Sequence, residues 1–227
     1  MTTDEALLSP TPRTTVIRGR QRARAERSAL LDVLGSARLC HLGVVVDNVP
    51  RVLPTVFGVD PDGPDRAGTL YLHGSVASRS LIEAPAQDIC VTVTVVDGLV
   101  LARSAFHHSM NYRSAVVVGL PRRVEDEQER IRALDAIVDQ VVPGRSAHLR
   151  AHTRKELAAT SVLALPLYEA SVKARAGGPV DDDSDIAAGG VWAGVVPIGE
   201  SVGRAVRAED VEPHLALPDH VCALSRP

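Results

Sequence analysis

The feature that most constrains the fold is a series of short apolar stretches separated by turns. The clearest, 89–96, reads Ile-Cys-Val-Thr-Val-Thr-Val-Val and predicts a central strand, because β-branched residues favour the extended backbone. Further strands are predicted at 39–46, 51–59, 70–73 and 112–119. They follow one another without long helical crossovers, so the pattern predicts an antiparallel barrel or sandwich rather than βαβ units.

Turn residues refine this pattern. Asp47-Asn48-Val49-Pro50 predicts a hairpin between the first two strands, and Pro54 indicates an edge strand or a bulge in the second. Asp97-Gly98 leaves two interpretations open, a tight hairpin turn or a bulge inside one long strand that ends near Phe106.

Helices are predicted around the strands. Apolar residues recur at helical spacing in 25–34 and 125–142, and Pro143-Gly144 follows the second segment. Thr153-Arg154-Lys155-Glu156 matches a capping box and predicts a short helix over 156–160. Two later strands are predicted at 161–167 and 191–198.

Composition limits the class of protein. The chain has 227 residues and a formal net charge of −3, so it has no overall basic field that would attract nucleic acid. No signal peptide is visible, and no apolar run reaches the roughly 18 residues of a membrane span. The three cysteines are far apart and are expected to be free thiols. We therefore expect a cytoplasmic protein that binds neither nucleic acid nor membrane.

The domain organisation is predicted from the same patterns. Residues 1–24 are expected to form a flexible N-terminal arm, 25–200 a single domain, and 201–227 a C-terminal tail. The basic run 18–24 lacks interleaved aromatic residues, so we interpret it as a solvated lead-in to the first helix rather than a nucleic-acid contact.

Residues 70–81 carry the strongest functional pattern, a strand followed by a glycine and a short helix. Gly74 frees the backbone to approach a ligand, and Arg79 can place two N–H groups on the oxygens of a phosphate. An ordinary structural turn has the same pattern, so these residues alone leave both interpretations open.

In their order and spacing these motifs resemble the FMN-binding split-barrel group related to pyridoxamine 5′-phosphate oxidase, and within it the nitroimidazole-resistance-type branch. The resemblance covers roughly residues 25–200 and rests on 39–59, 71–75, 78–80, 91–94, 107–114 and 191–194. It implies a mainly β fold, a six-stranded antiparallel split β-barrel with peripheral helices. It also implies a homodimer with FMN sites at the interface.

The resemblance assigns residues to the FMN phosphate. Four match the family's phosphate-binding turn: Ser75, Ser78, Arg79 and Ser80. Ser80 stands where the family often has a lysine, so one cation is missing. The candidates to supply it are Arg51, Lys173 and Arg175.

Other residues are implied around the flavin ring. Thr55 is expected to hydrogen-bond the ring edge, with His73 and Gly74 beside the ring. Tyr112 and Ser114 alternate with Arg113 and so share one strand face. Trp192 would approach from the partner subunit, and a core tryptophan is an equal alternative.

Histidines are the other candidate functional residues of the sequence. The pairs His107-His108 and His148/His152 lack further ligands at recognised spacing, so no metal site is expected. In nitroimidazole-resistance-type relatives a histidine at the place of His73 lies on the substrate side of the flavin. His73 is therefore the candidate catalytic residue, and a half-buried hydrogen-bonding histidine is the alternative.

The function implied is that of an FMN-dependent oxidoreductase acting on a small, largely apolar or aromatic acceptor. A true pyridoxamine 5′-phosphate oxidase is not expected, because 193–198 is apolar where a second phosphate would need cations. The alternatives are a flavin- or haem-binding protein without turnover, and a deazaflavin-dependent reductase of the same fold.

Overall fold

The computed structural model describes residues 7–9 and 11–225. The strands are β1 (Ala23–Arg24), β2 (Cys40–Val46), β3 (Val49–Thr55), β4 (Phe57–Asp60), β5 (Thr69–Ser75), β6 (Ile89–Leu101), β7 (Ser109–Gly119), β8 (Arg122–Arg123), β9 (Thr160–Pro166), β10 (Ala170–Arg175) and β11 (Gly194–Pro197). The helices are α1 (Arg27–Gly35), α2 (Arg79–Glu83), α3 (Glu127–Val141), α4 (Arg154–Ala159), α5 (Asp183–Ala188) and α6 (Asp219–Cys222). Short 3₁₀ turns lie at Arg20–Arg22, Ala84–Ala86, Ala105–His107, Ser146–His148 and Ala223–Ser225.

The strands form two antiparallel sheets. The larger has the order β1-β10-β7-β6-β2-β3, with β11 also paired to β6, and the smaller has the order β4-β5-β9-β8. This confirms the mainly β, antiparallel split-barrel class. The described residues contain eleven strands rather than six, because short edge strands are added and the predicted strand 51–59 is divided in two.

The division occurs at Val56, where the chain passes from the larger sheet to the smaller. Pairing between β3 and β2 ends at Thr55 and Cys40, because β2 begins there and offers no further partner. The next residue, Phe57, pairs with Leu72 of β5 instead. β3 is the edge of the larger sheet, as its proline at position 54 predicted.

Local turn chemistry gives the expected geometry at three further points. Asp47 and Asn48 both adopt positive φ, 55° and 59°, in the hairpin between β2 and β3. The register between β6 and β7 shifts between Val96 and Gly98, so Asp97-Gly98 is a bulge within one long strand and not a hairpin turn. That strand ends at Leu101, short of the predicted Phe106. The capping box at Thr153 and Glu156 is present.

One apolar core fills the space between the sheets and reaches α1. It contains Phe57, Leu72, Val91 and Leu165, all nearly inaccessible to solvent, together with Leu30 of α1. Burial of these side chains is the main stabilising term of the barrel.

A second core lies on the outer side of the smaller sheet, under α3. Tyr71 and Val162 of the sheet pack there with Ala133 and Ile137 of α3. The Tyr71 hydroxyl donates to Glu129, 3.2 Å away. Burial and this carboxylate raise the pKa of Tyr71 to about 12, so the phenol stays protonated at neutral pH.

Part of the predicted N-terminal arm lies against the barrel. Leu8 is buried, Arg13 forms an ion pair with Glu169, and Ala23 pairs with Lys173 of β10. At the other end, residues 199–217 form neither strand nor helix and are exposed, and α6 follows. The predicted domain limits stay predictions, and residues 1–6, 10 and 226–227 lie outside the described part of the chain.

None of the helices within 7–9 and 11–225 combines the length and apolar character that crossing a bilayer requires. The expected cytoplasmic location stays a prediction.

Candidate functional site

A pocket of about 200 Å³ lies between the β2–β3 hairpin and the start of α2. Its lining residues are Val46, Arg51, Leu53, Ser78, Arg79 and Ser80. Four of these carry cationic or hydroxyl groups, and all four were predicted from the sequence as phosphate ligands or as the missing cation. We call this the Arg51–Arg79 pocket.

The sheet positions one side of the pocket. Arg51 and Leu53 lie opposite Val44 and Leu42 of β2, which are both buried in the core, so their side chains share the inner face of the larger sheet. Thr55 is two residues further along the same strand and therefore on the same face. The residue expected at the ring edge therefore lies on the strand face that lines the pocket.

The two arginines of the pocket differ in their electrostatic surroundings. Arg79 contacts the carboxylates of Asp47 and Glu83, the latter at 3.4 Å. The Arg51 side chain has no hydrogen bond or ion pair within the described residues. One guanidinium is therefore partly neutralised, while the other offers its full charge to an anion.

The serines of the turn have different roles. The hydroxyls of Ser78 and Ser80 lie 3.0 Å apart at the edge of the pocket. Ser75 is outside the lining, and its hydroxyl accepts a hydrogen bond from the Ala77 N–H at 3.2 Å. Gly74 is also outside. A Cβ there would lie 2.6 Å from a methyl carbon of Leu81, so this glycine allows α2 to pack on β5.

His73 faces away from the pocket. It lies directly opposite Val162, whose side chain is buried in the α3 core, so the imidazole is on the α3 side of the smaller sheet. Its Nδ1 is buried and has no hydrogen-bond partner among the described residues. Burial lowers the pKa of His73, so the ring is neutral near neutral pH.

The other predicted residues lie elsewhere in the chain. Ser114 is opposite Lys173, and Tyr112 is opposite Arg175, across β7 and β10. Their neighbours Ala115 and Val172 point into the core, so this group is on the outer face of the larger sheet.

Two strands, β6 and β2, separate this group from β3. Trp192 is 69% exposed and is not a core residue. Within a single chain, therefore, none of these residues lines the Arg51–Arg79 pocket.

A second cleft, of about 660 Å³, lies beside the ends of β1 and β10. We call it the arginine cleft, and its lining comprises Gln21, Arg22, Arg24, Phe106, His107, His108, Ser109, Ala174, Arg175, Ala176, Gly177, Gly178, Pro179 and Val180. None of these residues is acidic. The sequence did not predict this cleft, because its arginines come from the run 18–24 and from the distant end of β10.

A third cleft, of about 630 Å³, lies between α3 and α4. Its charged groups are paired, His152 with Asp135 at 3.4 Å and Arg150 with Glu156 at 2.9 Å. The Arg150 guanidinium holds the pKa of Glu156 well below its usual range. Arg150 and Glu156 therefore compensate each other's charge in this cleft.

Within the described residues, no group of three or more His, Cys, Asp and Glu side chains could hold a metal ion. His148 stacks on His220, with ring centroids 4.2 Å apart, while His152 faces Asp135. His148 and His152 thus lie in two different environments.

Comparison with known proteins identifies the family. The sequence matches the family model described as pyridoxamine 5′-phosphate oxidase over residues 26–174. No curated protein matched the sequence.

Two solved structures resemble nearly the whole chain. The flavocytochrome Anf3 from Azotobacter vinelandii is 35% identical, with 96% of this chain and 98% of that chain covered and a TM-score of 0.86. The FAD and heme binding protein from Mycobacterium smegmatis is 40% identical, with 90% and 97% covered and a TM-score of 0.81.

A more distant structure shows the same fold. A Bacteroides thetaiotaomicron protein described as a 5-nitroimidazole antibiotic resistance protein is 23% identical, with 66% and 85% covered and a TM-score of 0.54. The match to the family model spans most of the barrel, and both closely similar structures extend beyond it. This chain therefore belongs to the pyridoxamine 5′-phosphate oxidase family.

Proposed function

We propose that the chain binds a flavin nucleotide and holds its phosphate in the Arg51–Arg79 pocket. The observation that carries this proposal is the juxtaposition of an unpaired Arg51, Arg79 and two serine hydroxyls at the edge of the barrel. Guanidinium and hydroxyl groups are the donors that phosphate oxygens prefer. The printed descriptions of both closely similar structures, a flavocytochrome and an FAD and heme binding protein, support the same ligand class.

The nucleotide expected from the sequence is FMN. FAD is the second candidate, because the M. smegmatis relative is described as binding it. Both present phosphate oxygens at the end of the ribityl chain, so the pocket suits either. A deazaflavin is the third, and its absorbance differs from that of a flavin.

The test is to purify the protein, record its absorbance, and identify any released cofactor by chromatography against FMN, FAD and deazaflavin standards. Protein without a bound cofactor is titrated with each standard. The proposal predicts a flavin spectrum and saturable binding of FMN or FAD. Failure of every flavin to bind would refute it.

A bound flavin would supply the redox chemistry, and the protein would position the substrate. The chain's own contribution includes the Thr55 hydroxyl, on the same strand face as Arg51, and the apolar side chains of Val46 and Leu53, which suit an uncharged acceptor. We propose oxidoreductase activity on that basis. Anaerobic addition of NAD(P)H tests it, because a reductase bleaches the flavin and a binding protein without turnover does not.

A second candidate function is that of a flavocytochrome, which carries a haem in addition to the flavin. It is favoured by the two closely similar structures, whose descriptions name a flavocytochrome and a heme-binding protein. Protein supplied with haem and then separated from unbound haem should give a pyridine haemochrome spectrum, which detects bound haem independently of the flavin.

We expect the protein to form a homodimer whose partner completes the flavin site. The outer face of the larger sheet exposes Val52 (68%), and Trp192 and Phe106 are 69% and 90% exposed. Apolar surface of this kind is typical of a subunit interface. A two-fold interface would bring Trp192 or Tyr112 of the partner subunit to β3, which a single chain does not do.

Sedimentation at low micromolar concentration should give twice the chain mass, and Val52→Glu should shift the protein toward monomer and weaken FMN binding together. A monomer that holds FMN tightly would contradict the shared site.

Purified, flavin-loaded protein should form little or no pyridoxal 5′-phosphate from pyridoxamine 5′-phosphate in air. That reaction needs cations for a second phosphate beside the flavin, and burying an unpaired phosphate costs several kcal/mol. The β11 segment is apolar, and Arg207 lies in the exposed segment 199–217, which forms neither strand nor helix. Robust turnover at micromolar substrate would show the assignment to be wrong.

A further inference from the structure

A small cavity of about 90 Å³ lies where β8 and β9 meet α3 and α4. We call it the Arg123–Arg130 cavity. Its polar lining comes from Arg123, Arg130, Thr160 and Ser161, and its apolar lining includes Val76 and Leu157. None of its lining residues is acidic, and none is shared with the Arg51–Arg79 pocket. The cavity is therefore a separate place where two cations meet.

The Arg123 guanidinium keeps most of its donors free. One of its N–H groups donates to the Ser161 hydroxyl, 3.2 Å away, and Ser161 is itself buried. Among the described residues, the Arg123 side chain has no other hydrogen-bond partner and no ion pair. A guanidinium carries five N–H donors, so most of those of Arg123 remain available to a ligand.

Backbone carbonyls position the second cation, Arg130. Its guanidinium donates to the carbonyls of Val124 and Glu125, both at 3.3 Å, and to that of Leu157 at 3.5 Å. A carbonyl orients a guanidinium without cancelling its charge, so the positive charge remains for an anion. In the part of the chain that the structure describes, no carboxylate pairs with Arg130.

The carboxylates on the neighbouring elements are engaged elsewhere. Glu129 accepts from Arg122 at 3.0 Å, and Glu156 accepts from Arg150 at 2.9 Å. The Asp126 carboxylate accepts from the backbone N–H of Glu129 at 2.7 Å, as the N-cap of α3. Two like charges that line one cavity repel each other, so an anion between them would lower the electrostatic energy of the folded protein.

The size of the cavity favours a small ligand. A volume of about 90 Å³ is well below the roughly 300–1,000 Å³ of sites that hold drug-sized ligands and cofactors. The Ser161 hydroxyl accepts from Arg123, so its own hydrogen is free to donate to an anion. A tetrahedral oxyanion accepts hydrogen bonds from several directions, which suits donors that come from β8, α3 and β9.

We propose that the Arg123–Arg130 cavity binds a free tetrahedral oxyanion, inorganic phosphate or sulfate, between the two guanidiniums and the Ser161 hydroxyl. The ion would connect β8, α3 and β9 and so stabilise the packing of α3 on the smaller sheet. The site lies beside the turn assigned to the flavin phosphate, because Val76 lines this cavity and Ser78 lines the Arg51–Arg79 pocket. It goes beyond the flavin proposal and does not depend on it.

The experiment is a calorimetric titration of FMN-loaded protein with inorganic phosphate, at an ionic strength held constant with chloride. FMN occupies the Arg51–Arg79 pocket and keeps phosphate out of it. We expect one saturable site per chain and a melting temperature that rises as the site fills. If FMN does not bind, the Arg51→Ala/Arg79→Ala variant takes the place of the loaded protein, so failure of the flavin proposal leaves this test intact.

Variants identify the site. Arg123→Gln and Arg130→Gln should each weaken phosphate binding roughly tenfold, because each removes a charge-assisted contact. Arg132→Gln is the matched control, since Arg132 is an exposed arginine of α3 outside the cavity, and it should leave the affinity unchanged. Arg123→Lys keeps the charge and should bind phosphate more tightly than Arg123→Gln. Circular dichroism of each variant reports folding.

Phosphate also stabilises folded proteins by exclusion from their surface, and that effect should be the same in every variant. Absence of saturable binding of both phosphate and sulfate to the wild type would overturn the site. Unchanged affinity in both Arg123→Gln and Arg130→Gln would also overturn it, because the ion would then bind elsewhere.

Adenosine 5′-monophosphate tests whether the ligand is the free ion or a phosphate ester. Its nucleoside is too large for a cavity of about 90 Å³, so it should not displace phosphate. Competition at equal concentrations would show that the site takes an ester, which contradicts the assignment to a free oxyanion.

Discussion

Replacing Arg79 by alanine is expected to weaken FMN binding roughly ten- to a hundredfold, because a charge-assisted guanidinium–phosphate contact contributes about 1.5–3 kcal/mol. Riboflavin has no phosphate and should bind nearly unchanged. The measurement is quenching of flavin fluorescence on titration with protein. Arg51→Ala should give a loss at least as large, because Arg51 has no carboxylate partner within the described residues.

Two further variants test whether the charge of Arg79 controls the affinity for FMN. Asp47→Asn removes a carboxylate that contacts Arg79, so it should strengthen FMN binding. Lys155→Ala, an exposed cation on α4, is the matched control and should have no effect. If Arg79→Ala weakened riboflavin as much as FMN, Arg79 would not be a phosphate ligand.

Gly58→Ala is expected to lower the stability of the protein by about 3 kcal/mol, the upper end of the usual cost of overpacking. A Cβ at Gly58 would lie 2.6 Å from the backbone nitrogen of Ile137 and 2.8 Å from the carbonyl carbon of Ala136. These are backbone atoms of α3, so the clash is relieved only by moving the helix away from β4.

Thermal unfolding measures the effect, since about 1 kcal/mol corresponds to roughly 2–4 °C in a chain of this size. Gly35→Ala is the matched control, because a Cβ there meets nothing within 4 Å. It should be neutral or slightly stabilising. Equal melting temperatures for Gly58→Ala and the wild type would contradict the close packing of α3 on β4.

Local chemistry made much of the fold predictable from the sequence. The positive φ angles of Asp47 and Asn48, the capping box at Thr153 and the edge position of Pro54 each follow from residue types a few positions apart. The order of such elements along the chain predicted an antiparallel barrel or sandwich, and the resemblance to the family implied the split-barrel class.

The candidate site was predictable only in part. Arg79 and Glu83 are four residues apart on one helix, a spacing that predicts their contact. The contact of Arg79 with Asp47 depends on how the β2–β3 hairpin lies against α2, and no local pattern reports that.

Long-range strand pairing explains why the other groupings of residues could not be predicted from the sequence. Arg24 and Arg175 share a cleft because β1 pairs with β10, about 150 residues later in the chain. The same sheet order separates Tyr112 and Ser114 from Arg51, although the resemblance assigned all three to one FMN site.

A crystal structure of the protein with FMN tests the phosphate site most directly. We expect the phosphate to lie within hydrogen-bonding distance of the guanidinium of Arg51 or Arg79, beside the hydroxyls of Ser78 and Ser80. A phosphate bound elsewhere, in the arginine cleft for example, would contradict it.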